Sequence, residues 1–181
     1  PFIEQRADPH VTLGSDGYYY FTASYPMLYS WDADGYDRII LRRPRTKEGL
    51  EDAEELGIWD ESNTTNSSRY VVAPGIHEVN RGWYVFFTTS QSASNVWGIR
   101  PIVLACTGGD GDPYNPANWE TEGHYSEAVA GDTVAFRNFS LDMTYFEVNG
   151  THYVAWAEKP GYSHIMIATI DSAKPWKLTS K

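Results

Sequence analysis

The stretch Asp8-Pro-His-Val-Thr-Leu-Gly-Ser-Asp-Gly17-Tyr-Tyr-Tyr-Phe21 returns twice, in altered form, further along the chain. The second copy is Ala73-Pro-Gly-Ile-His-Glu-Val-Asn-Arg-Gly82-Trp-Tyr-Val-Phe86, and the third is Asp142-Met-Thr-Tyr-Phe-Glu-Val-Asn-Gly150-Thr-His-Tyr-Val-Ala-Trp156. Each copy runs from a start residue through a short apolar stretch to a polar turn with glycine, then into an aromatic strand. A third apolar strand follows in every unit: Arg38-Ile-Ile-Leu-Arg-Arg43, Pro101-Ile-Val-Leu-Ala-Cys-Thr107 and His164-Ile-Met-Ile-Ala-Thr-Ile170. Short antiparallel strands repeating at this period read as β-propeller blades. Because the repeat is degenerate, two packed sheets also fit the pattern.

The units lie near residues 7–60, 70–122 and 139–181, and the whole chain reads as one partial propeller domain. Three blades do not close a ring. Five blades of this length need roughly 300 residues, so the remainder of the propeller is expected to complete the domain, as further sequence or as a second chain. The segment Arg45–Trp59 is acidic and reads as a surface connection with one or two helical turns. The tails around Trp119 and Trp176 read as polar ends of the second and third units.

Composition supports an all-β class. Aromatic residues make up 15 % of the chain, with 13 Tyr and 7 Trp, and long helix-forming runs are scarce. The net charge of −10 disfavours nucleic acid or an anionic membrane as partner and suits a neutral polysaccharide. No apolar run approaches the roughly 20 residues of a membrane-spanning helix. Cys106 is the only cysteine and lies in an apolar run, which predicts a buried hydrophobe rather than a nucleophile. Four sequons, at Asn63, Asn66, Asn138 and Asn149, point to a secreted glycoprotein. A chain that opens on Pro1 rather than Met is what removal of an upstream segment leaves, and so does any other boundary.

The chemistry concentrates in the start residues. Equivalent positions of a cyclic repeat converge on one axis, so Asp8 and Asp142 are expected to face each other across a pocket, with Ala73 as the blank third position. Two carboxylates in that arrangement suit acid/base hydrolysis of a glycosidic bond. Pro9 stiffens the turn presenting Asp8. The apolar neighbours of Asp142 should desolvate it and raise its pKa. His10 and His77, close behind two of the start residues, are candidates for the pocket mouth. Asp32-Ala-Asp34-Gly-Tyr-Asp37 and Asp110-Gly-Asp112 look like fragments of calcium loops without the full ligand set. The histidines show no metal-ligand spacing, and no metal site is assigned.

Arg6-Ala-Asp8-Pro-His10, Asp16-Gly-Tyr-Tyr-Tyr-Phe-Thr-Ala-Ser24, Asp37-Arg-Ile-Ile-Leu-Arg-Arg43, Ala73-Pro74 with His77, and Phe139-Ser-Leu-Asp142 together resemble glycoside hydrolase family 43. That family comprises inverting arabinofuranosidases, arabinanases and β-xylosidases on a five-bladed β-propeller. The resemblance spans essentially the whole chain in the order of the family's motifs. It implies that Asp8 is the general base and that Asp142 tunes and orients the general acid. The acid itself, a Glu that opens the following blade, is expected beyond Lys181. His10, Phe21, Pro74 and His77 are the substrate-binding candidates. Val72-Ala-Pro-Gly75 departs from the family's frequent Trp-Ala-Pro-Glu, which alters the pocket wall. The resemblance implies an exo-acting α-L-arabinofuranosidase, secreted and acting on plant arabinoxylan or arabinan. β-Xylosidase, endo-arabinanase and a non-catalytic carbohydrate-binding propeller are the alternatives. No cofactor is required, and a structural cation such as calcium is compatible with the fold but not called for by this chain.

Overall fold

The computed structural model describes residues 2–27, 35–63, 69–125 and 129–180. Among the described residues twelve strands run in chain order: β1 Ala7–Leu13, β2 Tyr19–Ser24, β3 Arg38–Leu41, β4 Leu56–Asp60, β5 Val72–Val79, β6 Gly82–Thr89, β7 Arg100–Cys106, β8 Trp119–His124, β9 Phe139–Val148, β10 Thr151–Lys159, β11 His164–Asp171 and β12 Lys174–Leu178. They form three antiparallel units in strictly sequential order. β5-β6-β7-β8 and β9-β10-β11-β12 are four-stranded sheets. β1-β2 and β3-β4 are joined by backbone bonds of Phe21 with Arg42 and of Tyr19 with Pro44, making the first unit. This is the all-β partial propeller that the repeats predict, in keeping with the five-bladed form that the family resemblance implies.

Strand alternation places the core between the units. Ile39, Leu41, Tyr20 and Trp59 of the first unit meet Ile76, Val85, Phe87, Ile102 and Leu104 of the second. The intervening residues Phe86 and Val103 point the other way, against Met143, Val154, Trp156 and Ala168 of the third. The middle unit is therefore apolar on both faces, as a blade between two neighbours must be.

Each unit has a fourth strand that the sequence pattern did not show. Arg45–Trp59 is not a surface connection throughout. It makes a single 3-10 turn, Glu48–Leu50, and then the outer strand β4. Ile58 and Trp59 of β4 are buried, and Trp59 packs against Phe87 at 5.1 Å between ring centroids. The Trp119 and Trp176 tails likewise form β8 and β12. Their few apolar residues follow no regular alternation, which hid these short edge strands: Leu56, Ile58 and Trp59 in β4, Trp119 in β8, and Pro175, Trp176 and Leu178 in β12.

The hairpins β5-β6 and β9-β10 close through two-residue loops, with Val79 facing Gly82 and Val148 facing Thr151. Asn80 and Arg81 have φ of 49° and 68°, and Asn149 and Gly150 have 51° and 77°. Two successive positive φ angles mark the type I′ turn, whose twist matches that of paired strands.

Candidate active site

At the opposite end of the same inner strands the ladder slips. Asp8 and Pro9 together face Ala23, Ala73 and Pro74 face Phe87, and Asp142 and Met143 face Trp156. Each is a β-bulge, the local insertion that bends a strand and re-aims a side chain. The first bulge residue is left-handed every time: φ is 50° at Asp8, 49° at Ala73 and 57° at Asp142. The equivalence read from the repeats is thus an equivalence of backbone conformation.

The three bulges converge. Asp8-Pro9-His10, Ala73-Pro74-Gly75 and Asp142-Met143-Thr144 line one open cleft of about 300 Å³. Asp8 and Asp142 are its only carboxylates among the described residues. A larger depression of about 410 Å³, along β4, includes Asp37, Asp60 and Glu61. Those groups are already engaged: Asp37 with Arg38, Asp60 with Ser62, and Glu61 with the Arg69 amide.

The two cleft carboxylates have different surroundings. Ser24 Oγ donates to Asp8 Oδ2 at 2.8 Å and accepts from the Ala73 N–H at 2.8 Å. Ser24 is buried at the end of β2. One side chain therefore fixes an oxygen of Asp8 and satisfies the amide of the neighbouring bulge. Among the described residues Asp142 has no such donor, and its pKa is raised, first by burial and second by the charge of Asp8. This is the direction its apolar neighbours predicted.

Behind the carboxylates lies a histidine pair. The rings of His10 and His77 are 4.5 Å apart. His77 is 9 % exposed, and burial, then the adjacent His10, hold its pKa down to about 3. The Tyr145 amide and the Thr144 hydroxyl approach His77 Nε2 at 3.5 and 3.3 Å. A backbone amide can only donate, so Nε2 accepts and the ring proton sits on Nδ1. Burial also lowers the pKa of His10. Two facing residues, His10 and Thr22, carry buried polar atoms without a hydrogen-bond partner among the described residues, Nδ1 and Oγ1 respectively. Gly75 matters here, because a Cβ would sit 3.1 Å from His77 Nε2.

Of the substrate-binding candidates, His10 and Pro74 line the cleft, and His77 supports its floor. Phe21 does not reach it. It is 3 % exposed and packs with Ala23, Ile40 and Leu50 on the far face of the first unit. Strand parity turns Phe21 away, since it faces Val11 rather than a bulge residue.

Other sequence candidates resolve into structure. Glu158 is 2 % exposed and accepts from the Phe136, Arg137 and Asn138 amides and from Trp156 Nε1. It is the hub that holds the entry to β9, a role no sequence signal announced. Asn138 also turns its side-chain nitrogen toward Glu158, at 3.4 Å, which opposes use of that sequon. Asn63 and Asn149 are exposed, and Asn149 sits in the hairpin turn. Asn66, Asp32 and Asp34 lie outside the described residues. Asp110 and Asp112 are engaged by Asn118 and Arg43. Burial pushes the Cys106 thiol up to about 11, so it is protonated and inert near neutral pH.

Known proteins share the sequence and the fold of this chain. The sequence profile of glycosyl hydrolases family 43 matches residues 1–181. The extracellular exo-alpha-(1->5)-L-arabinofuranosidases of Streptomyces chartreusis and Streptomyces avermitilis are 38 % and 37 % identical, each over 99 % of the chain. Alpha-L-arabinofuranosidase B of Pyricularia oryzae is 38 % identical over 86 % of it. The chain spans 49 %, 34 % and 28 % of these three relatives. The crystal structure of an alpha-L-arabinofuranosidase from Lactobacillus brevis superposes on the entire chain with a TM-score of 0.81 at 32 % identity, the match covering 53 % of that enzyme. An endo-arabinase from Bacteroides thetaiotaomicron, 13 % identical with a TM-score of 0.70, shares the fold.

Proposed function

The chain belongs to glycosyl hydrolases family 43, and on that premise we propose that its full-length protein is an extracellular, exo-acting α-L-arabinofuranosidase that inverts the anomeric carbon. The substrate is arabinoxylan or arabinan of the plant cell wall. The names of the Streptomyces relatives support both the activity and the location. The observation that carries the reading is the convergence of two unlike carboxylates, on equivalent bulges, in one cleft.

Asp8 is the general base. With Oδ2 held by Ser24, its other oxygen is directed to take a proton from water as the water attacks the anomeric carbon. Asp142 acts on the acid rather than on water. A carboxylate beside a second carboxyl disfavours a further negative charge, which keeps the proton donor protonated until the leaving oxygen needs it. In the full-length protein that donor is the glutamate that membership of the family implies. Pro74 and His10 shape the walls that hold the sugar ring.

Asp8→Ala in the full-length protein is expected to lower kcat on an aryl arabinofuranoside by about 10³-fold with its fold retained. Turnover near the wild-type value would reject the assignment. Proton NMR of the first-formed arabinose should show the anomer opposite to that of the substrate, and a retained anomer would reject inversion. An aryl xyloside cleaved faster than the arabinofuranoside would transfer the activity to the xylosidase class.

A further inference from the structure

We propose that Trp97, with Phe139 and Lys159, forms a second sugar-binding platform at the cleft end of the sheets, which takes the polysaccharide chain from which the terminal sugar is cut. This rests on the function proposed above. Within this chain Trp97 is 64 % exposed, whereas Trp59, Trp83, Trp119 and Trp156 are buried. Its indole meets the Phe139 ring edge-on at 5.4 Å, and Lys159 Nζ lies 5.7 Å from the ring centroid. Phe139 and Lys159 face each other across β9 and β10.

The topology puts this group at the cleft end of the sheets. β6 and β7 leave the ladder at Thr89 and Arg100, one residue beyond the pairing of Thr88 with Val72, which precedes the Ala73 bulge. The loop between them carries Trp97. Phe139 is three residues before Asp142 on the same strand, about 10 Å away. The loop is also pinned. Tyr70 Oη donates to the Ala93 carbonyl at 3.2 Å, Ser90 Oγ to the Asn95 carbonyl at 2.7 Å, and the Ser140 amide to the Ile99 carbonyl at 3.3 Å. Arg100 Nε donates to the Phe136 carbonyl at 2.9 Å, tying the loop's far end to the entry of β9. An exposed aromatic on a braced loop is pre-organised for a ligand. An indole face offers stacking to the C–H face of a sugar ring, and a neighbouring ammonium offers donors to its hydroxyls. A neutral pentose chain leaving the cleft meets both.

The test is Trp97→Ala in the full-length enzyme, with retention of fold checked by its melting temperature. The value of kcat/KM on arabinan or arabinoxylan should fall about tenfold. On 4-nitrophenyl arabinofuranoside, which fills only the cleft, it should stay within about twofold. Trp97→Tyr should recover most of the loss on polymer. Unchanged polymer activity, or an equal loss on both substrates, overturns the platform. If the wild type fails on the aryl arabinofuranoside, the proposed function falls instead. The platform is then judged by affinity electrophoresis in arabinan or arabinoxylan gels, where it requires that wild type be retarded more than Trp97→Ala. Equal mobility overturns it.

Discussion

The two ends of the inner strands make the same demand on the backbone and answer it differently. At the hairpin end, Asn149 and Gly150 take positive φ in a type I′ turn, and both residue types enter that region at low cost. At the cleft end, Asp8, Ala73 and Asp142 enter the same region inside bulges. The left-handed conformation costs about 1–2 kcal/mol for an ordinary L-residue, less for Asp, and alanine has no local side-chain hydrogen bond to offset it. The hairpin end is thus built for the fold. The cleft end accepts strain, packs buried His77 against half-buried His10 and brings two carboxylates into one cleft. Arg81 shows that the hairpin end is not free of such strain, so what sets the cleft end apart is the same strain repeated at three equivalent bulges, two of which carry carboxylates.

The largest effect expected from this contrast is in the pH dependence of stability. Unfolded His77 binds a proton below 6.5, while the folded side chain does not until about 3. Between those values the unfolded state holds more protons, so stability is complete above pH 6.5 and falls as pH drops toward 3, by at most about 5 kcal/mol from this residue. His77→Gln should flatten that slope in thermal melts from pH 7 to 4. An unchanged slope would remove His77 from the contrast.

Ser24→Ala comes next. It leaves the Ala73 N–H without its acceptor and Asp8 without its donor, and should cost about 1–3 kcal/mol in chemical denaturation. In the full-length protein, kcat should fall more than KM rises if Asp8 is the base proposed above, because its free oxygen loses its orientation. A loss of stability with kinetics untouched would make Ser24 a purely structural bridge.

The smallest effects separate the two ends most directly. Ala73→Gly relieves the left-handed strain at the cleft and should stabilise by about 1 kcal/mol. Arg81→Gly relieves the same strain at the hairpin and should gain a similar or smaller amount. Only the first should alter kinetics, since Ala73 lines the cleft and Arg81 does not. Equal kinetic silence would show that the cleft bulge is tuned for fold alone.

Much of this was legible in the chain. Turn chemistry repeated at a blade-length period, with aromatic and β-branched strands between, leaves few architectures, and the start residues stand out because they occupy one place in every copy. The outer strands were not legible. Ile58 and Trp59 are two core residues in a run of charge, below what periodicity can register. Phe21 failed for a related reason: proximity in sequence to Asp8 says nothing of which face a strand residue takes once its neighbour is bulged. Glu158 and Ser24 carried no signal, because their partners lie 20 to 22 and 49 residues away for Glu158's loop amides and Ser24's Ala73 amide respectively.

By itself, then, the sequence determined the all-β repeat, the equivalence of Asp8, Ala73 and Asp142, and the environment that raises the pKa of Asp142. These are local matters of pattern, turn residues and neighbours. Only the tertiary structure decided that the three positions share a left-handed bulge, that Ser24 locks one oxygen of Asp8 while holding the next unit, and that His77 meets the cleft-lining His10 ring to ring. Those facts depend on how separate sheets approach one another, and that approach is set by the packing of buried side chains from units far apart in the chain.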